Sequence, residues 1–271
     1  DMVKFTGGRS VIVPCGVDQG FKIKPEQLEA AITPKTRWLL LNSPNNPTGA
    51  VYNASELRGL ADVLLRHPHV GVIMDDIYEH ITFDGEKFAT MIEIEPALRD
   101  RTVTANGVSK SYAMTGWRVG YAAAPAAMIQ QMTKLQSLVT SAASSVSQAA
   151  AIAALTGPQD FIAEQARSFE DRRDLVVSMI NQTKGLSCPL PKGAFYVYPS
   201  CAEVIGKKTP GGKVIENDRD FVLYLLESEK VATVHGAAYG ISPHFRISYA
   251  QSAEELVEAC TRIQRACAAL S

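Results

Sequence analysis

Lys110 and Arg118 stand eight residues apart in the stretch "ANGVSKSYAMTGWRVGYAAAP" (Ala105–Pro125), surrounded by Gly, Ser and Thr. A soluble domain has no structural need of two cations at such a place. Other chemically able groups occupy comparable positions: Asn46 in "NSPNNPTG", and Asp75 and Tyr78 in "MDDIYEH". Each follows a short apolar run, and open parallel sheets bind ligands just outside the carboxyl ends of their strands. Taken singly, each has a plain explanation. Pro, Asn and Gly form turns, an aspartate caps helices or sits solvated at a strand end, and a lone lysine is usually a surface lysine. What points to a site is their occurrence together, in order, at the ends of successive runs.

The elements that position them read as an α/β layer fold, with apolar runs alternating with amphipathic helices. "TRWLLLN" (36–42), "VGVIMDD" (70–76), "RTVTANG" (101–107) and "RVGYAAA" (118–124) are short and mostly apolar, as strands covered on both faces should be. Between the first two, "SELRGLADVLLRH" places Leu57, Leu60, Ala61, Leu64 and Leu65 on one helical face, with Ser55 as the candidate cap. The spacing predicts helix from Ala126 to about Gln182, interrupted at Gly157-Pro158. Beyond it "GAFYVYPS" (193–200) and "HFRISYA" (244–250) read as antiparallel strands, with helices near 218–229 and 252–270. Ser252 and Glu255 form a capping box for the last helix. The expected organisation is therefore a mostly parallel sheet covered by helices, residues 1–170, followed by a smaller C-terminal α+β domain, residues 171–271. The boundary is expected inside a connecting helix.

Composition narrows the function classes. With 271 residues, 46% of them hydrophobic, the chain can bury a large core. The near balance of 27 Lys+Arg against 28 Asp+Glu leaves no electrostatic footprint for nucleic acid or an anionic membrane. Cys15, Cys188, Cys201, Cys260 and Cys267 contain no C-x-x-C pair, and with the five His scattered there is no metal-ligand spacing, so no metal is expected. A reducing, cytoplasmic setting is predicted. "SLVTSAASSVSQAAAIAAL" (137–155) is uncharged, but recurrent Ser, Thr and Gln argue for a buried or interface helix rather than a membrane span. "GKKTPGGK" (206–213) lacks the spacing of a phosphate-binding loop and is expected to be a solvent-exposed loop.

Through "NSPNNPTG", "DDIYEH", "SKSYAMTGWRVGY", "GAFYVYP" and "FRISYA" the whole chain resembles the pyridoxal-phosphate-dependent aminotransferases of fold type I, class I. Its texture is closest to the bacterial branch that includes aspartate and prephenate aminotransferases. The resemblance implies pyridoxal 5′-phosphate as cofactor and a role for each matched residue. Lys110 would form the Schiff base with the cofactor aldehyde and then move the substrate's Cα proton. Asp75, rather than Asp76, would pair with the pyridine nitrogen, because the spacing to Tyr78 matches the family when counted from Asp75. Asn46 and Tyr78 would hydrogen-bond the ring's phenolic oxygen, Arg118 and Ser109 would hold the phosphate, and the substrate would be bound by Asn46 and by Arg246, which would take its α-carboxylate in a bidentate fork. Where the family often has a further Ser or Thr, this chain has Gly107.

The expected reaction moves an amino group between an amino acid, aspartate or glutamate in first place, and a 2-oxo acid by a ping-pong mechanism. The resemblance also implies a homodimer. The family's gating segment, Gly-rich phosphate loop and stacking aromatic precede the part matched here. The chain is therefore expected to be the C-terminal two-thirds of such an enzyme and not a competent transaminase alone. Two other readings share the motifs: a fold type I lyase, and the effector-binding aminotransferase-like domain of a transcription regulator.

Overall fold

In the computed structural model, which describes residues 2–271, two layered units share one long helix. Elements in chain order are α1 (Met2–Phe5), α2 (Pro25–Ala31), β1 (Trp38–Asn42), α3 (Ala54–Arg66), β2 (Gly71–Asp75), α4 (Met91–Ile94), β3 (Thr102–Gly107) and β4 (Gly120–Ala123). Then come α5 (Ala126–Val139), α6 (Ser145–Thr156), α7 (Asp160–Asn181), β5 (Tyr196–Val197), α8 (Asp218–Glu229), β6 (Val234–His235), β7 (Phe245–Ser248) and α9 (Ala253–Ala268).

The first sheet runs β1-β2-β3-β4, with β1, β2 and β3 parallel and β4 antiparallel to β3. The sheet is thus mixed, and the parallel crossover from β1 to β2 is made by α3. That helix buries Leu57, Leu60, Ala61, Val63 and Leu64. They pack in one core with Leu41, Val70, Val72, Met74, Met91 and Leu98. Its cap is Asn53, not Ser55: the Asn53 side chain accepts from the Glu56 amide, and the Glu56 carboxylate accepts from the Asn53 amide, each at 2.9 Å. Ser55 lies inside the first turn, too late to reach those orphan donors. The expectation of strands covered on both faces holds for β2 but not for the two edge strands, β1 and β4, the latter with Tyr121 exposed. On β1 Leu40 is 63% exposed and Trp38 lies open as well.

Past β4 the helical signal breaks twice, at residues 140–144 as well as at Gly157. The segment expected at 193–200 pairs as a strand only over Tyr196–Val197, in a small antiparallel sheet ordered β5-β7-β6. This sheet, α7, α8 and α9 enclose the second core. Tyr78, Ile81 and Phe83, from the segment after β2, belong to it too. The two units are therefore stitched by chain that leaves one and packs into the other.

Two features hold the stitch. Arg173 of α7 is buried, pairs with Asp84 at 2.7 Å, donates to the Pro191 carbonyl at 3.2 Å, and lies over the Phe83 ring. A buried guanidinium needs such partners, and removing one strands the other charge. Gly193 is the second. A Cβ there would meet the Ile81 carbonyl, Pro44 and Val51, each at 2.8 Å, so only glycine lets the two units approach this closely.

Candidate active site

The carboxyl ends of β1, β2 and β3 meet the small sheet's β5 and β7. Asn42, the last residue of β1, lies in register with Asp75, the last of β2. Its Nδ2 donates to the Asp75 carbonyl at 2.9 Å, and its Oδ1 accepts from the Asn46 amide at 2.7 Å. One side chain thereby fixes the ends of both strands and the turn that carries Asn46. Sequence reasoning missed Asn42; the signal was a polar residue closing an otherwise apolar strand.

Asn46 Oδ1 in turn accepts from Arg246 Nη1 at 2.9 Å, across 200 residues of chain. Arg246 stands on β7 with its guanidinium carbon 4.7 Å from the Tyr196 ring centroid and 5.5 Å from that of Tyr239. Its Nε is buried without a protein partner, a donor that an incoming carboxylate would satisfy.

Tyr78 is buried in the turn after β2, where its hydroxyl lies 3.0 Å from that of Tyr196. Burial, then the hydrogen bond to Tyr196, push the Tyr78 phenol well above its ordinary value. Lys110, in the turn after β3, places Nζ 5.7 Å from the Tyr78 ring centroid and 5.6 Å from that of Phe195. Its pKa is lowered by burial first and then by the charges of Arg118 and Arg246, with Asp75 partly offsetting them. The Asp75 carboxyl is raised, chiefly by burial, against a backbone hydrogen bond from Ile77 and the pull of Lys110. Arg118, exposed in a left-handed conformation at φ 52°, donates to the Thr115 carbonyl at 2.8 Å. Ser109 is half-buried beside Lys110.

Asn46 and Arg246 thus touch directly. Tyr78 and Lys110 adjoin, and Asp75 and Arg118 act on Lys110 through charge. Asp76 is the most buried of the group at 1% exposed, and it faces away from the site: its Oδ2 accepts from Thr90 Oγ1 at 2.8 Å. Adjacent strand-end residues point to opposite faces, so burying Asp76 there leaves Asp75 toward Lys110. The aromatic residues around Arg246 and Lys110, namely Phe195, Tyr196 and Tyr239, were inside or beside quoted motifs but carried no chemical signal of their own.

A lysine of lowered proton affinity, placed with a carboxylate, a phenol, an amide and two arginines at the ends of the strands, can hold a small anionic ligand and move a proton beside it. Among the described residues no group of His, Cys, Asp and Glu could hold a metal ion, and no helix is long and apolar enough to cross a membrane. The family model for aminotransferase class I and II matches residues 1–263. The chain is 58% identical over 269 residues to a protein of Rhizobium leguminosarum bv. phaseoli named "Probable aspartate/prephenate aminotransferase", covering 99% of this chain and 67% of that protein. It is 56% identical over 271 residues to an aspartate/prephenate aminotransferase of Cereibacter sphaeroides, covering 100% of this chain and 68% of that protein. The crystal structure of the aspartate aminotransferase from Rhizobium meliloti superposes with a TM-score of 0.96 at 55% identity, covering 100% of this chain and 68% of that one. The chain spans about two thirds of the length of these relatives, and it belongs to the class I and II aminotransferases, pyridoxal-phosphate-dependent enzymes of fold type I.

Proposed function

We propose that this chain carries the cofactor and substrate residues of an aminotransferase that exchanges an amino group between a dicarboxylic amino acid, aspartate or glutamate, and a 2-oxo acid. The relatives named for aspartate and prephenate support that substrate class. The observation that carries the reading is the placement of Lys110, with Nζ 5.7 Å from the Tyr78 ring centroid and 5.6 Å from that of Phe195, where burial and the charges of Arg118 and Arg246 lower its pKa.

The donor set fits pyridoxal 5′-phosphate. Asp75 offers a carboxylate to a protonated ring nitrogen, Asn46 and Tyr78 offer donors to the phenolic oxygen, and Arg118 with Ser109 offers charge and a hydroxyl to the phosphate. Arg246, with an unpaired Nε and Nη1 already oriented by Asn46, receives the substrate α-carboxylate. When bound, the cofactor supplies the sink for the electron pair left at the substrate's α-carbon. Lys110 Nζ takes up the Cα proton, a task that requires it to be neutral and near, which its depressed proton affinity favours. The rings of Tyr78 and Phe195 shield that nitrogen from water on their side.

Residues up to about 170 form the cofactor-binding unit and the rest the smaller substrate-closing unit, joined through α7. The active species is a cytoplasmic homodimer. All five cysteines are free and buried, as suits a reducing compartment. The uncharged run 137–155 leaves Leu138 79% and Ile152 62% exposed, apolar surface that a second copy of the chain would cover.

Borohydride reduction of the holoenzyme followed by peptide mapping tests the assignment of Lys110: the pyridoxyl adduct is expected on Lys110. An adduct on another lysine, or pyruvate release from amino acids without any 2-oxo acid, would replace this reading, in the latter case by a lyase.

A further inference from the structure

Tyr196 touches both halves of the site. It pairs with Ser248 across β5 and β7, so Arg246, two residues earlier on the same face of β7, is its diagonal neighbour. That placement lays the Tyr196 ring 4.7 Å from the Arg246 guanidinium carbon while its hydroxyl reaches the Tyr78 hydroxyl at 3.0 Å. Tyr196 is buried, and its ring also packs edge-on against Tyr78, with centroids 5.8 Å apart.

A phenol has one proton to give. If Tyr78 gives its proton to a ligand oxygen in the cleft, the bond between the two phenols survives only with Tyr196 as donor and Tyr78 oxygen as acceptor. A donor whose own oxygen accepts a hydrogen bond is a stronger donor. Resting on the reading above, in which Tyr78 faces the cofactor's phenolic oxygen, we infer that Tyr196 is a positioning residue that sets Tyr78 as a donor with its hydroxyl and steadies Arg246 with its ring. Its observed hydrogen-bond and cation–ring contacts are with Tyr78 and Arg246 and not with Lys110. Its two functions reside in different atoms and are separable by substitution.

The test compares Tyr196→Phe and Tyr196→Leu in the holoenzyme by two measurements. The first is the pH midpoint of the bound cofactor's visible absorbance change. Weaker donation from Tyr78 leaves more negative charge on the ring oxygen, so the neighbouring nitrogen holds its proton to higher pH. Both variants are expected to move the midpoint upward by about 0.3 pH unit, the size of a modest loss of hydrogen-bond cooperativity. The second is the dissociation constant of a non-reacting dicarboxylate, read calorimetrically. Tyr196→Phe keeps the ring and should stay within about twofold, whereas Tyr196→Leu loses the cation–ring contact and should weaken binding about fivefold.

A midpoint that stays fixed or moves down in Tyr196→Phe overturns the inference, since Tyr196 would then be the acceptor and its removal would free Tyr78. Equal dicarboxylate binding by the two variants overturns the ring's part in it. Either result leaves the transaminase reading intact, while a wild-type holoenzyme with no chromophore linked to Lys110 removes both. Tyr196→Phe keeps the buried ring and decides the hydroxyl's part alone; should Tyr196→Leu not fold, Tyr196→Met takes its place in the dicarboxylate comparison.

Discussion

Replacing Asp76 by Asn should remove a loss of stability that sets in as pH rises toward neutrality and leave the protein's chemistry nearly untouched. Asp76 is 1% exposed; one carboxylate oxygen accepts from Thr90, and the other, Oδ1, is buried with no partner. Burial is the main cause that pushes its pKa from 3.8 up to about 7, with the Glu79 and Asp75 charges adding and the Thr90 bond opposing. Because the native state keeps the proton to higher pH than the unfolded chain, stability is unaffected below pH 4 and falls as pH rises toward 7. At about 1.4 kcal/mol per pKa unit, the full cost is on the order of 4 kcal/mol, complete above pH 7. Asn keeps an oxygen for Thr90 and cannot ionise, while its amide puts two unpaired N–H donors where Oδ1 now lacks a partner, a cost independent of pH. Guanidinium unfolding of Asp76→Asn against wild type should therefore show a stability difference that moves in favour of Asn by about 3 kcal/mol between pH 4.5 and pH 8. Turnover should change less than about threefold, since this carboxyl faces away from Lys110. Parallel stability profiles across that range would refute the argument, and so would a loss of turnover by orders of magnitude, which would put Asp76 in the place given to Asp75.

The Asp75–Asp76 pair also marks what the sequence made legible. Alternation along a strand required one carboxylate to face the cleft and the other to turn away. The spacing to Tyr78 chose which, but nothing in "MDDIYEH" foretold that the outward one would be sealed under Thr90. The strands ending at Asn42, Asp75 and Gly107 were readable because short, mostly apolar runs alternate with a helix-period segment and end at polar or turn-forming residues. Antiparallel β4 was not, because direction is set by the connection from Lys110 to Arg118 and not by composition. The cap of α3 was misplaced by two residues because Asn53 and Ser55 are both good caps, and only the reciprocal bond with Glu56 decides between them. Asn42, Tyr196 and Tyr239 escaped notice for a different reason. Asn42 reaches the Asp75 carbonyl across 33 residues and Tyr196 the Tyr78 hydroxyl across 118, while Tyr239 meets Arg246 only through the fold of the turn before β7; apart from the polar end of β1, such contacts leave no local pattern.

Two further outcomes bear on the site and its assembly. Charge placed on the exposed end of α5 tests the assembly: Leu138→Asp should shift the holoenzyme from dimer toward monomer in sedimentation at micromolar concentration, and a wild type already monomeric there would contradict the homodimer. Arg246→Lys keeps the charge but cannot reproduce the planar fork that lies over Tyr196 and Tyr239 while donating to Asn46. A charge-assisted hydrogen bond contributes about 1.5–3 kcal/mol, so losing the bidentate geometry should lower kcat/KM by about two orders of magnitude. The loss should be similar for every amino acid and 2-oxo acid tested, because all present an α-carboxylate. A loss confined to dicarboxylic substrates would instead put Arg246 at their second carboxylate. The bond to Asn46 would then tie the cofactor's phenolic oxygen to side-chain recognition, and the α-carboxylate would need a different partner.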